Sequence, residues 1–277
     1  MKKLTTILLF FLLVQAANIW AQYTFDWIQG SGNYAKTSVM SAVDLSDNII
    51  VTGYLQNYQI FTRKYDISGN LLWEVADSSG IQSKYVKPNW INCDANNHIL
   101  VVGNQYSYSS STGWDYPEAI VAIKYSPAGV LLWKTVIPVT ITLTPLHRFN
   151  TISRVDQYGN LYIGTSVDIP SGAVLYKLDL NGNLIFTGSS SINSPQNFSS
   201  MRLKDDKIFV ATGSTGTNVA PIFVWDTTGV LLWTAAASGR GAADVEIDES
   251  GNVYVLSHLM NAVSATSGAD LNITKFN

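Results

Sequence analysis

Residues 64–73 read KYDISGNLLW and residues 124–133 read KYSPAGVLLW, so the chain contains nearly the same ten-residue stretch twice. Weaker copies follow at residues 177–186 (KLDLNGNLIF) and 224–233 (VWDTTGVLLW), and a fifth begins at residue 274 as TKFN. A repeat of 47 to 60 residues is typical of propeller blades rather than of helical solenoids. The residues that align at its second position are Tyr65, Tyr125, Leu178, Trp225 and Phe276.

A second stretch alternates with the first, and it consists of an apolar run, a polar turn and another apolar run. Asn and Gly tolerate the positive φ of tight turns, and β-branched and aromatic residues suit a pleated surface, so both stretches predict β-hairpins. Two hairpins per repeat give four strands, which we name a, b, c and d in chain order. The five copies of the second stretch are VDLSDNIIVTG (43–53), CDANNHILVVG (93–103), VDQYGNLYIG (155–164), LKDDKIFVATG (203–213) and IDESGNVYVLS (247–257).

The mature chain has no helical period of apolar residues, so we predict an all-β fold, a β-propeller of four-stranded antiparallel blades. The segment around Trp27 matches a strand d and the chain leaves through a strand c, so we expect five blades in a ring that the N-terminal strand closes. The alternative is that residue 277 ends a piece of a longer protein, with further blades beyond it.

An aromatic residue recurs near the end of each predicted strand d. We interpret Trp73, Trp133, Phe186 and Trp233 as packing between blades, because aromatic side chains dominate core burial. The alternative for these positions is a set of platforms on which a ligand stacks.

The alternating patterns D-x-x-G-N-x-Y-V-x-G and K-Y-D-x-x-G-N-L-L-W resemble the bacterial β-propeller repeat family known as seven-bladed β-propeller or SBBP-type repeats. The resemblance covers residues 23 to 277, with departures: five copies are present, Leu178 and Phe186 alter the third, and Val224 and Trp225 alter the fourth. It implies extracellular or envelope proteins of bacteria and carries over no catalytic residue.

The N-terminus has the layout of a secretory signal peptide. Lys2 and Lys3 precede an apolar stretch at residues 7–14, and small residues precede Gln22. We expect cleavage after Ala21, which leaves one propeller domain at residues 22–277 in a secreted or cell-envelope protein, extracellular or periplasmic.

The composition limits the classes of molecule that the protein is expected to bind. Without residues 1–21 the chain has 15 basic against 20 acidic residues, a net charge near −5 that argues against nucleic acid, whose binding needs clustered Lys and Arg. The mature chain has no stretch long and apolar enough for a membrane helix, and we expect a monomer that binds an unknown protein or glycan ligand. The single cysteine, Cys93, cannot form an internal disulfide and is interpreted as a small core residue.

No catalytic, metal or cofactor motif is convincing in the sequence. His98, His147 and His258 lack metal-ligand spacing, so we predict no metal site and no cofactor. The segment GSGNYA at residues 30–35 matches a loose dinucleotide pattern, but strands follow it where a phosphate-binding helix should. The Asp-rich turns lack the full set of calcium ligands and are interpreted as turn geometry.

One row of residues on the predicted strands a is a candidate ligand site. Each member precedes an apolar residue, and alternation along a strand points the row away from the packing between blades, towards the channel. Arg154 and Arg202 could hold an anion, since guanidinium groups suit carboxylates. Solvated polar residues or an ion-pair network are the alternatives. The row comprises Ala42, Asn92, Arg154, Arg202 and Glu246, and Asp244 joins Glu246 as a close acidic pair.

Two classes of function fit these observations. The first is a non-catalytic binding or scaffold module, favoured because the sequence contains no recognisable nucleophile–base pair or metal cluster. The second is an extracellular polysaccharide hydrolase or lyase at the channel mouth, which would need paired carboxylates such as Asp244 and Glu246.

Overall fold

The computed structural model describes the five repeats in ten segments. The predicted signal peptide and the predicted closing strand around Trp27 lie outside them, so both stay predictions. The described segments are residues 35–55, 59–77, 84–109, 114–139, 150–168, 171–191, 196–214, 219–239, 241–259 and 270–277.

These segments contain nineteen β-strands and no helix. They are β1 (Ala35–Val43), β2 (Ile49–Leu55), β3 (Ile60–Tyr65), β4 (Leu71–Asp77), β5 (Lys84–Cys93), β6 (Ile99–Ser109), β7 (Trp114–Tyr125), β8 (Leu131–Pro138), β9 (Thr151–Val155), β10 (Leu161–Asp168), β11 (Ser171–Leu178), β12 (Leu184–Ser191), β13 (Gln196–Lys204), β14 (Lys207–Ser214), β15 (Val219–Asp226), β16 (Leu231–Ser238), β17 (Gly241–Ile247), β18 (Val253–Leu259) and β19 (Asp270–Phe276).

The strands form antiparallel blades in which neighbours along the chain pair. Four blades have four strands each, β1–β4, β5–β8, β9–β12 and β13–β16, and the fifth has the three strands β17–β19. A single pairing of Gly213 with Gly241 links the fourth blade to the fifth. The predicted all-β propeller of four-stranded blades is therefore confirmed.

The first strand of each blade lies beside the first strand of the next. β1 contacts β5, β5 contacts β9, β9 contacts β13 and β13 contacts β17, so strands a form the inner row of the propeller. Within the described segments no contact of similar extent joins β17 to β1. The predicted closure of the ring by the N-terminal strand lies outside what these segments test.

The described segments contain four apolar core clusters, one at each junction between blades that are consecutive in the chain. Strand β6 shows why: Val101 packs into the cluster shared with the first blade, whereas Leu100 and Val102 pack into the one shared with the third. Alternate residues of a strand face opposite sides of the sheet, so a strand between two neighbouring blades is apolar on both faces.

The recurrent Trp of strand d packs on the next blade, as predicted. The indole N–H of Trp73 donates to the carbonyl of Pro127 at 2.9 Å, and the ring lies 6.5 Å from that of Tyr125. A Cβ added at Gly129 would lie 2.8 Å from the Trp73 ring. The glycine of the turn between strands c and d is thus required both by its positive φ of 82° and by the approaching indole.

The same contact recurs along the ring. Trp133 donates to the carbonyl of Leu180 at 2.9 Å and covers Gly182, and Phe186 covers Gly229. Trp233 lies 6.2 Å from the ring of Phe276. These side chains are only partly buried, so they seal the junctions rather than fill their centres.

Candidate functional site

A repeated β-bulge precedes the polar row on the inner strands. The pairing register of β1, β5, β13 and β17 shifts just before Met40, Trp90, Ser200 and Asp244, respectively. A bulge bends its strand and re-aims the side chains beyond it. The bulge therefore re-aims the residues that follow it on these four strands, whereas β9, which carries Arg154, has no such shift.

The structure sorts the predicted site residues into two clusters, and Ala42 belongs to neither. Arg202, Asp244 and Glu246 form an ion-paired cluster between the fourth and fifth blades. Asn92 and Arg154 form a second cluster between the second and third blades. Arg154 and Arg202 thus do not share one role, as a single anion clamp would require.

Arg202 is bound almost completely by its own neighbours. Its Nη2 lies 2.5 Å from Glu246 Oε1 and 3.2 Å from Asp244 Oδ1, and Nε donates to Glu246 at 3.0 Å. Nη1 donates to Ser200 Oγ at 3.0 Å and to the carbonyl of Met201 at 3.1 Å. The hydrogen bond with Glu246 raises the pKa of Arg202 although burial opposes the shift. This cluster is an ion-pair network, the alternative to a ligand site for these residues.

Arg154 has a different environment. Its guanidinium carbon lies 4.7 Å from the ring centroid of Trp90, a cation–π contact, and Nη1 donates to the carbonyl of Ser153 at 3.0 Å. Within the described segments no carboxylate pairs with Arg154. Burial lowers the pKa of Arg154 from its usual value and the charge of Arg202 lowers it further, although the charges of Asp244 and Glu246 oppose the shift. Arg154 is thus a partly buried cation in the inner row, and most of its N–H donors have no partner among the described residues.

Two further residues complete the Arg154 cluster. Asn92 Nδ2 donates to Ser153 Oγ at 2.9 Å and so links the second blade to the third. Trp90 was missed by the sequence reasoning, although the alternation that selected Asn92 also selects the residue two positions earlier. We name Trp90, Asn92, Ser153 and Arg154 the channel site.

Asp244 and Glu246 are not placed as the two carboxyl groups of a glycosidase would be. Asp244 and Glu246 both bind Nη2 of Arg202, so the guanidinium lies between the two carboxylates. A glycosidic bond would have to occupy that same space for one carboxyl group to protonate it and the other to attack. The arrangement favours a structural ion pair over a catalytic one.

No three His, Cys, Asp or Glu side chains of the described residues group as metal ligands. No helix that could cross a membrane is found there. Cys93 packs against the cluster between the first two blades, and burial raises the pKa of its thiol to about 11.

Comparison with known proteins supports the fold. No family model and no curated protein matches the chain. An exo-β-1,3-galactanase from Clostridium thermocellum is similar in structure, with a TM-score of 0.51, 10% identity and coverage of 90% of this chain and 60% of that one. An exo-β-1,3-galactanase from Phanerochaete chrysosporium has a TM-score of 0.49, 13% identity and coverage of 84% and 59%.

A protein of unknown function from Bacteroides caccae is also similar, with a TM-score of 0.45, 13% identity and coverage of 76% of this chain and 65% of that one. The chain spans about three fifths of the length of these proteins. The likeness to the Clostridium galactanase, at 10% identity, shows a propeller-like fold alone. The resemblance to SBBP-type repeats stays a prediction, since no family model matches.

Proposed function

We propose that the chain is a secreted or cell-envelope binding module, without catalytic activity, that takes up an anionic group of its ligand at the channel site. The observation that carries the proposal is the environment of Arg154, whose guanidinium is partly buried, stacked on Trp90 and without a carboxylate partner among the described residues. A ligand carboxylate would supply that partner.

The physical reason lies in the cost of a charge held away from water. A partly buried charge without a partner destabilises a fold, whereas a ligand carboxylate can accept two parallel hydrogen bonds from a guanidinium. Trp90 holds the guanidinium plane on one side, and Asn92 lies next to it on the neighbouring blade. The same chemistry fits a uronic acid of a polysaccharide or the carboxyl terminus of a peptide.

The competing function is hydrolysis or lysis of a polysaccharide at the Asp244–Glu246 pair. The similar galactanases share the fold with this chain, and at about 10% identity their activity is not evidence about its chemistry. The observation against this function is that Arg202 binds both carboxylates.

A screen of the secreted protein separates these functions. The protein is tested for binding to immobilised uronate oligosaccharides and to peptides with free or amidated carboxyl termini, and for release of reducing ends from the same polysaccharides. Saturable binding of a carboxylate ligand without turnover supports the proposal. Turnover that the Glu246→Gln change abolishes would favour the hydrolase instead.

A further inference from the structure

The turn between β13 and β14 is shorter than its counterparts in the other blades. Asp205 and Asp206 alone form it, with φ of 49° and 57°, the positive values of a two-residue hairpin turn. The other four turns between strands a and b have five residues each. They are residues 44–48, 94–98, 156–160 and 248–252.

Neighbouring turns of full length touch each other. Between the first two blades, Asn97 Oδ1 accepts from the backbone N–H of Leu45 at 2.8 Å, and Asn97 Nδ2 donates to Ser46 Oγ at 3.2 Å. At the junction of the third and fourth blades, a cleft of about 540 Å³ lies beside the short turn. Its volume falls within the range of about 300–1,000 Å³ that small-ligand sites occupy.

The cleft is lined by side chains that both donate and accept hydrogen bonds. Asp156 contributes to the lining from the third blade, and the segment Lys204–Lys207 and Thr227 contribute from the fourth. The backbone is fixed on both sides, because Asp156 accepts from the N–H of Tyr158 at 2.9 Å and Thr227 N–H donates to the Asp206 carbonyl at 3.1 Å. Neither Arg154 nor Arg202 lines the cleft, which is thus separate from the channel site.

Tyr158, which also lies at this cleft, differs in residue type from the equivalent residues of the other full-length turns. It is 67% exposed on the lip of the cleft, at a turn position where the other full-length turns have small polar residues. An isolated exposed aromatic residue needs no explanation, but here it coincides with a shortened turn and a polar cleft. The small residues at the equivalent positions are Ser46, Asn96 and Ser250.

We propose that this cleft is a binding site for a neutral saccharide, which stacks a sugar face on Tyr158 and directs its hydroxyl groups to the cleft walls. Sugar hydroxyls donate and accept hydrogen bonds, which suits a cleft with carboxylate, ammonium and hydroxyl groups together. A strongly charged ligand would meet repulsion from one set of walls. The phenol ring of tyrosine offers an apolar face with a polar edge, the pattern that a sugar ring matches.

The test uses the mature protein and a panel of neutral β-linked gluco-, xylo-, manno- and galacto-oligosaccharides, with binding measured by glycan array and then by calorimetry. At least one oligosaccharide should bind saturably. Tyr158→Ser, which installs the residue of the sibling turns, should weaken that binding about tenfold or more, whereas Tyr158→Phe should retain it. Replacing Asp205–Asp206 with the five-residue sequence of residues 248–252 should also abolish binding by filling the cleft.

The matched control is Leu45→Ala, which alters an exposed residue of a full-length turn in the first blade and should bind as the unmodified protein does. Each variant is melted to confirm that it folds. The proposal is overturned if no neutral oligosaccharide binds or if Tyr158→Ser binds as tightly as the unmodified protein. Loss of binding in Arg154→Met but not in Tyr158→Ser would also overturn it, because the saccharide would then lie in the channel.

Discussion

Lys64 Nζ lies 2.7 Å from Asp44 Oδ2, and both side chains are almost completely buried. Asp44 begins the turn between strands a and b of the first blade, and Lys64 belongs to strand c of the same blade. The pair therefore ties the two repeated stretches of the sequence to each other. Lys124 and Asp94 form the same pair at 3.0 Å in the second blade.

Breaking this pair should destabilise the protein by about 3–5 kcal/mol, because removal of one partner leaves a buried charge unpaired. We expect Asp44→Asn and Lys64→Met to lower the free energy of unfolding by amounts of that order. The double variant Asp44→Asn/Lys64→Met should lose less than the sum of the two. Denaturant titration of the three variants measures the coupling, and additive losses would show that the ion pair does not act as a unit.

The same carboxylates predict how stability depends on pH. Burial would raise the pKa of Asp44, but hydrogen bonds from Lys64 and Asn48 outweigh it and hold the pKa below 3.8. A lowered folded pKa gives stability that is present above the unfolded value and is lost as pH falls through the folded one. The melting temperature should therefore fall below about pH 4, and this fall should be smaller in the double variant. An equal fall in both proteins would contradict the assignment.

The contact between Trp73 and Gly129 predicts a second coupling. Gly129→Ala should destabilise the protein by more than about 1 kcal/mol, since its φ is 82° and its Cβ would meet the indole. Trp73→Ala should cost about 3 kcal/mol, and in that background the Gly129→Ala change should cost less, because the clash is gone. Leu72→Ala, at a half-exposed neighbouring position, is the matched control. Equal costs of Gly129→Ala in both backgrounds would argue against the stacking.

Much of this fold could be predicted from the sequence because each blade repeats the same turns and short-range contacts. The hairpin turns and the Trp–Gly contact depend on residues that recur at fixed spacing. The sequence also contains an exchange that was not recognised. In the third and fifth blades, Tyr162 and Tyr254 donate to the turn carboxylates of Asp156 and Asp248, and the equivalent lysines, Lys177 and Lys275, lie over the tyrosine rings.

The candidate site was predicted less completely, because its contacts join different blades. Arg154 and Arg202 occupy equivalent positions, yet one stacks on an aromatic ring and the other binds two carboxylates. The difference comes from the neighbouring inner strands. Trp90 on β5 contacts Arg154, whereas Asp244 and Glu246 on β17 bind Arg202. A repeat pattern along one strand does not show which residue of an adjacent blade each side chain will contact.

Closure of the ring by the N-terminal strand remains a prediction that deletion can test. Leu271 and Ile273 of β19 are 74% and 69% exposed, whereas strands c of the other blades are largely buried. If residues 22–31 pair with β19, their deletion should increase hydrogen exchange in residues 241–259 and 270–277 more than in the second blade. Unchanged protection of the fifth blade would count against the five-blade ring.

The channel site is tested most directly by calorimetric titration of Arg154 variants with the carboxylate ligand that the screen identifies. Arg154→Met should abolish measurable binding while its melting temperature stays the same or rises, since the change removes a partly buried charge that has no carboxylate partner among the described residues. Arg154→Lys should bind at least about tenfold more weakly than the unmodified protein, because an ammonium group cannot present two parallel donors. Unchanged affinity of Arg154→Met for every carboxylate ligand would contradict the proposed function.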